Sequence, residues 1–324
     1  MPNNNISSIR KKINSCKIMC IGDIMLDHYL FGRIDRISPE APIPILLFEK
    51  EKFIPGGAAN VARNISALGA KCILLSVVGN DVAGKKIRRQ ISIEKKIIPK
   101  LFTLKKYQTP VKTRYIRKFQ HLLRVDREFS NFKISKKLIE NIESAILKNI
   151  KQTDLIILSD YNKGLISKLL IKKIICIAKK YNKTIIADPK KIDLSAYKGI
   201  DILTPNQKEI SDAANKNLTS ERDLTNFARS LIKKYKFKEV LITRSSKGML
   251  LVGSDYLEKI PANCKNVNDV TGAGDTVISV LSLMKAIGMN TSSAAKIANN
   301  AAGITVAKQG TAVLSFRELT LNND

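Results

Sequence analysis

The sequence predicts an α/β fold in which a mostly parallel sheet is wrapped by helices, with a small second β-sheet beside it. Three observations carry this. From about residue 135, short apolar runs alternate with amphipathic stretches of helical period, the pattern of βα units. The apolar runs read as buried strands and end on polar residues: Asp23, Ser159-Asp160, Asp188 and Thr243-Arg244. Ligands of such sheets bind beyond the carboxyl ends of the strands, so these residues, with Asp27, Lys190, Asn206 and Glu209, are the first candidates for function. Third, segments 29–48 and 109–127 break the rhythm, being rich in proline, β-branched or aromatic residues.

Taken in order, residues 1–15 form a lead-in or a first helix, and 17–24 (KIMCIGDI) a buried strand running into a loop. Pro39, Pro42 and Pro44 exclude helix and favour an extended, edge-type segment. Ile54-Pro55-Gly56-Gly57 opens a helix over 58–68 that Gly69 closes, and 72–78 is the next strand. Gly79 to Lys85 has the spacing G-x4-G-K, but a P-loop needs Ser or Thr next, and Lys86 cannot hold magnesium. Residues 109–127 read as a hairpin-like pair. Segments 28–50 and 107–127 then make a small lid. Helix 135–149, strand 154–159, helix 167–181 and strands 183–187 and 200–203 follow. A helix from about Asn206, a helix over 220–235 and strand 239–243 continue the rhythm. No repeat or linker divides the chain, so residues 1–324 are expected to form one domain.

Lys+Arg total 56 against 28 Asp+Glu, a net charge of +28. Such a field attracts nucleic acid, anionic membranes or phosphorylated substrates. Here the excess is mostly lysine scattered along the chain, with no dense basic arm and no Trp, so a base-stacking platform is poorly supported. No run approaches the ~20 apolar residues of a membrane span. The N-terminus lacks a signal-peptide apolar core. The five cysteines are scattered without a zinc pattern, and most should be buried thiols. A cytoplasmic protein without nucleic-acid or membrane partners is expected.

Asp269-Val270-Thr271-Gly272-Ala273-Gly274-Asp275-Thr276 stands directly before an apolar helical run over 277–284. The first N–H groups of a helix lack partners and carry the positive end of its dipole, an arrangement that binds phosphoryl groups. A carboxylate there would repel phosphate unless it takes a proton from the attacking nucleophile. The plainer alternative is a glycine-rich turn with Asp275 as N-cap. Residue types alone favour that alternative, and the rest of the chain reverses the balance.

Gly56-Gly57-Ala58-Ala59-Asn60-Val61-Ala62 and the Asp269–Thr276 stretch, at opposite ends of the chain, resemble the two signature motifs of the ribokinase-like (PfkB) sugar kinases. The resemblance covers residues 17–316 and implies a three-layer ribokinase-like fold with a β lid. Within that family, Gly22-Asp23-Ile24-Met25-Leu26-Asp27, Arg36-Ile37-Ser38-Pro39-Glu40-Ala41-Pro42 and Leu123-Arg124-Val125-Asp126 are similar to the D-glycero-β-D-manno-heptose-7-phosphate kinase branch. So are Ser159-Asp160-Tyr161-Asn162-Lys163-Gly164, Leu203-Thr204-Pro205-Asn206 and Ile242-Thr243-Arg244-Ser245. That branch phosphorylates O1 of the heptose phosphate with ATP and Mg²⁺, toward lipopolysaccharide core.

The resemblance implies Asp275 as catalytic base, with backbone N–H groups of Gly272, Ala273, Gly274 and Asp275 as anion hole. It implies Asp27, Gly56, Gly57 and Asn60 as sugar contacts. Asn206 and Glu209 would position hydrated Mg²⁺, with Glu209 also readable as a capping-box carboxylate. Thr243, Arg244 and Gly248 fall where the family passes its nucleotide, with Asn299, Asn300 and Gly303 near the adenine. Asp269 and Thr271 resemble ligands of the K⁺ that orders the anion hole in many relatives. Arg114, Arg124, Lys163 and Lys190 are candidates for the substrate's 7-phosphate, each weighed against being a solvated surface charge. A homodimer paired through the lids is expected. Many proteins of this branch continue into a nucleotidyltransferase domain with a His-x-Gly-His motif. Only His28 and His121 occur here, so that activity is expected to be absent. Two alternatives stay open: another ribokinase-like sugar or nucleoside kinase, and a nucleic-acid binder supported by charge alone.

Overall fold

Strand β1 (Lys17–Gly22) is apolar on both faces, so it sits mid-sheet, covered on both sides. Its alternation divides the core: Ile18 and Cys20 pack into one apolar cluster, Met19 and Ile21 into another. The computed structural model describes residues 3–118, 120–128, 132–264, 266–308 and 310–321. Met1 and Pro2 of the expected lead-in, Phe119 of the expected lid and the final residues 322–324 lie outside them.

Helix α1 (Asn3–Ser15) precedes β1, which is followed by β2 (Ile24–Ile37) and β3 (Pro44–Gly57). Then come α2 (Ala58–Leu68), β4 (Lys71–Gly79), α3 (Val82–Ile93), β5 (Ile97–Leu104), β6 (Val111–Arg117) and β7 (Gln120–Arg127). The βα rhythm continues with α4 (Lys136–Asn149), β8 (Leu155–Ser159), α5 (Lys168–Lys180), β9 (Thr184–Asp188) and β10 (Ile202–Leu203). Helices α6 (Gln207–Ala214) and α7 (Glu221–Tyr235) lead to β11 (Glu239–Thr243), β12 (Met249–Val252) and β13 (Leu257–Ile260). The chain closes with α8 (Ala273–Ala286), α9 (Thr291–Val306) and α10 (Phe316–Leu321).

Among the described residues, nine strands form the main sheet in the order β13-β12-β11-β10-β9-β8-β1-β4-β5. Pairing is parallel from β11 to β5, and β12 and β13 add antiparallel strands at one edge. Helices α2, α8 and α9 cover one face and α4, α5 and α7 the other, giving three layers. This is the ribokinase-like α/β fold expected from the resemblance.

A second sheet, ordered β3-β2-β6-β7, forms the lid. Its root differs from expectation. No loop follows β1; Asp23 alone separates it from β2, and β2 pairs with β3 from Ile24–Gly57 outward to Ile37–Pro44. The lid therefore grows straight out of the main sheet. Asp27 and the Gly56-Gly57 pair lie at that junction, buried, while the far ends of β2 and β3 are exposed.

Candidate active site

Gly272 is in the left-handed conformation (φ 84°) and caps α8, so Asp275 stands in the first helical turn rather than at the N-cap. A Cβ on Gly272 would meet Asn60 Nδ2 at 2.9 Å, so the turn brings the two signatures against each other. Asn60, in the first turn of α2, donates from Nδ2 to Asp275 Oδ2 at 2.8 Å. Tyr161 donates its hydroxyl to Asp275 Oδ1 at 2.6 Å. Burial lifts the Asp275 carboxyl from 3.8 to about 6, against the lowering effect of these two donors. The Ala273 N–H turns back onto the Val270 carbonyl at 3.2 Å. The N–H groups of Gly274 and Asp275 have no carbonyl partner inside the helix. Of the four N–H groups expected to face an anion, that of Ala273 is already engaged within the turn.

Asp275 faces a polar cavity of about 200 Å³ shared with Tyr161, Asp188, Lys190, Asn206 and Glu209. Asn206 caps α6 by accepting from Glu209 N at 2.9 Å, and Glu209 Oε2 accepts in return from Asn206 N at 2.9 Å, a capping box. The other oxygen of Glu209 takes the Lys190 ammonium. Burial, with Glu209 beside it, holds Asp188 well above the ordinary carboxylate range. Lys190 therefore stands among the carboxylates of this cavity.

At the lid root, Asp27 accepts from Arg114 Nη1 at 2.6 Å, both buried. Burial raises the Asp27 carboxyl in spite of Arg114. A Cβ on Gly56 would reach Asp27 Oδ2 at 2.3 Å, and Gly57 has φ 62°, so both glycines are required by this close packing. Of the other two cations, Arg124 is on the lid, on β7 opposite Arg114, and Lys163 is in the loop after β8. Arg124 is largely exposed on β7 and pairs with Asp126, and Lys163 pairs with Glu128 at 2.6 Å, where Lys112 also arrives.

A less polar cavity of about 490 Å³ adjoins the first, sharing Asn206, Thr243, Gly274 and Val277. Val270, Met249, Ala302 and Val306 line it, together with Gly248, Asn299 and Gly303. Asn299 donates to the Pro261 carbonyl at 2.8 Å, and Asn300 accepts from Asn263 at 3.3 Å. Gly303 has the Asn263 carbonyl where a Cβ would be. These three residues hold the 261–264 segment along the cavity wall. Arg244 lines the neighbouring cavity with Asn206 and Thr243, its guanidinium paired with Glu221 at 2.8 Å and bonded to the Lys247 carbonyl.

Asp269 accepts from Thr271 N and Gly310 N, both at 2.9 Å. Although burial opposes it, these bonds hold the Asp269 carboxyl below the usual range. In the stretch from Gly79, Asp81 caps α3 and takes the Thr109 N–H at 2.7 Å, so a carboxylate stands where a P-loop would leave the helix N-terminus to phosphate. Asp23 and Asp160, named as strand-end candidates, instead brace the loop after β8. Tyr161 and Arg63 reach Asp275 and Asn60 although the sequence reading gave them no role, and Asp188, named there as a strand-end candidate, lines the same cavity as Asp275. Arg63 bonds Asn60 Oδ1 at 3.3 Å. Tyr161 had a signal, its place in a strand-end loop beside Asp160; Arg63 lies one turn beyond Asn60.

Residues 15–317 match the pfkB family of carbohydrate kinases. The bifunctional protein HldE of Paramagnetospirillum magneticum is 39% identical over 312 residues, 96% of this chain and 64% of that protein. That of Acidiphilium cryptum is 41% identical over 296 residues, 91% of this chain and 61% of that protein. The chain thus spans under two thirds of the length of these relatives. Phosphofructokinase-2 of Escherichia coli, in complex with potassium, has the same fold, with TM-score 0.79 at 21% identity, covering 94% of this chain and 97% of that one. A Thermotoga maritima ribokinase gives 0.73 at 22% identity over 94% and 98%. No helix among the described residues is long and apolar enough to cross a membrane.

Proposed function

The chain belongs to the pfkB family of carbohydrate kinases and so is a phosphotransferase with an alcohol acceptor, and we propose that it transfers the γ-phosphoryl of ATP to O1 of D-glycero-β-D-manno-heptose 7-phosphate. One observation carries the mechanism: the two signatures meet at a single bond, Asn60 to Asp275, beside the phosphate-sized cavity. The sugar O1 attacks the γ-phosphorus while Asp275 accepts its proton. The bond to the β–γ bridging oxygen breaks, and ADP leaves. The Gly274 and Asp275 N–H groups meet the charge on the transferring group, each such donor being worth about 3 kcal/mol. The heptose assignment rests on the branch motifs and on similarity to HldE proteins.

Asp27, oriented by Arg114, would take sugar hydroxyls, with Asn60, Gly56 and Gly57 around it. Lys163 and Arg124, on the lid side, remain the proposed holders of the 7-phosphate. The carboxylates around Lys190 favour a role toward the transferred phosphoryl. The adjoining apolar cavity suits adenosine, with Thr243 and Gly248 at its mouth. Glu209, which lines the cavity with Asp188 and Asp275, would hold a Mg²⁺ largely through water and phosphate oxygens. That ion would neutralise phosphate charge. Asp269 and Thr271 are proposed to support a K⁺, tested by comparing KCl with NaCl.

The decisive assay measures ADP release with Mg-ATP and the heptose phosphate, beside ribose, fructose 6-phosphate and adenosine. Turnover confined to the heptose phosphate is expected. Turnover with another acceptor instead would keep the mechanism and reject the substrate.

A further inference from the structure

The loop between β8 and α5 is braced far beyond what a connection needs. Asp23, fully buried, accepts the N–H groups of Tyr161 at 2.9 Å, Lys163 at 3.1 Å and Leu165 at 3.2 Å. Asp160 N donates to the Asp188 carbonyl at 3.1 Å, and Asp160 Oδ1 accepts from Asn162 N at 2.7 Å. Its other oxygen takes the Tyr197 hydroxyl and Lys191. Asn162 is held at φ 55°, a conformation non-glycine residues seldom adopt. Two buried carboxylates and a residue of left-handed conformation therefore fix the backbone that carries Tyr161, whose hydroxyl ends on Asp275 Oδ1.

We propose that Tyr161 is a positioning residue for the phosphoryl-transfer step. Its hydroxyl and the Asn60 amide clamp the two Asp275 oxygens, so the carboxylate cannot rotate and a free lone pair stays turned to the acceptor hydroxyl. This rests on Asp275 being the base. A carboxylate oxygen has two acceptor sites, so the clamp leaves one on each for the reaction. The donor also favours the ionised form, the one able to take a proton. Besides Tyr161, the charged and titratable groups facing Asp275 are Asp27 of β2, Cys20 of β1, Asp188 and Lys190 at the end of β9, and Glu209 of α6 across the cavity. None of these donates a hydrogen bond to Asp275 among the described contacts.

The test is Tyr161→Phe, assayed with whichever sugar the wild type phosphorylates. The expected result is a fall in kcat of about 10- to 100-fold with each KM within about threefold. The acid limb of the rate should move to higher pH, and comparison with the parent cancels the phosphates' own titration. A role confined to packing would lower the melting temperature and leave that limb in place. Trifluorotyrosine at 161 keeps the shape with a stronger donor and should move the limb the other way, so a poorly folding Phe variant does not end the test. Inactive Asp275→Asn beside a Tyr161→Phe with parental kcat and pH profile overturns the role of Tyr161 alone. Turnover retained in Asp275→Asn overturns the base assignment and this inference with it.

Discussion

Asp275 is asked to be a base and to be buried, and these demands oppose each other. Burial raises its carboxyl to about 6, so between pH 4 and 6 the folded chain holds a proton that the unfolded chain has released. Stability from this residue is therefore present at low pH and lost as pH rises through 6. Asp275→Asn removes the charge while keeping an acceptor for Asn60. It should stabilise the protein on the order of 2–3 kcal/mol at pH 7.5 and by little at pH 4.5. Its turnover should fall about 10³-fold. Denaturant melts at the two pH values check this; equal gains at both would remove burial as the cause. Asp275 and Asn60 were legible because each sits in a dense local motif. Tyr161 drew no role because its bond to Asp275 joins residues 114 apart in the chain, and Arg63 because it lies just outside the motif while bonding both Asn60 and the Thr311 carbonyl.

Helix α6 shows one residue serving its element and the site together. Glu209 closes the capping box and also faces the polar cavity beside Asp275. Gln can close the same box but carries no charge. Glu209→Gln should therefore keep the wild-type melting temperature while raising the Mg²⁺ concentration needed for half-maximal rate about tenfold. Glu209→Ala should lose about 1 kcal/mol of stability as well. If both variants melt alike, the cap contributes nothing. Helices α4, α5, α6 and α7 were legible with their caps Ser135, Ser167, Asn206 and Ser220, whereas α3 and α9 went unread although Asp81 and Asn290 cap them. Strand β5 went unread because Pro99 lies inside it, which only an edge strand tolerates. Strands β12 and β13, four residues each, are too short to show a period. The continuous path from β1 into β2 was hidden because Gly22-Asp23 reads as a turn, whereas the Asp23 carboxylate is spent on the loop of Tyr161.

At the scale of the molecule, the lid presents an open problem of surface and charge. Strand β7 is exposed along its whole length and forms a sheet edge, with Leu123 59% and Val125 47% accessible. Phe48 on β3, the opposite edge, is 61% accessible. Edges of this kind invite pairing, and a second lid is the partner proposed here. A net charge of +28 on each copy works against it. The apolar contact is indifferent to salt or gains from it, while the repulsion is screened over about 8 Å at physiological ionic strength. Dimerisation should therefore tighten as NaCl rises from about 50 to about 300 mM. Binding to DNA would weaken steeply over the same range, because it depends on counterion release. Sedimentation equilibrium of the wild type and of a Leu123→Asp, Val125→Asp double variant separates these cases. The wild type should be dimeric at micromolar concentration and the variant monomeric at every salt concentration. A wild type that stays monomeric would leave the lid strands to close over substrate alone.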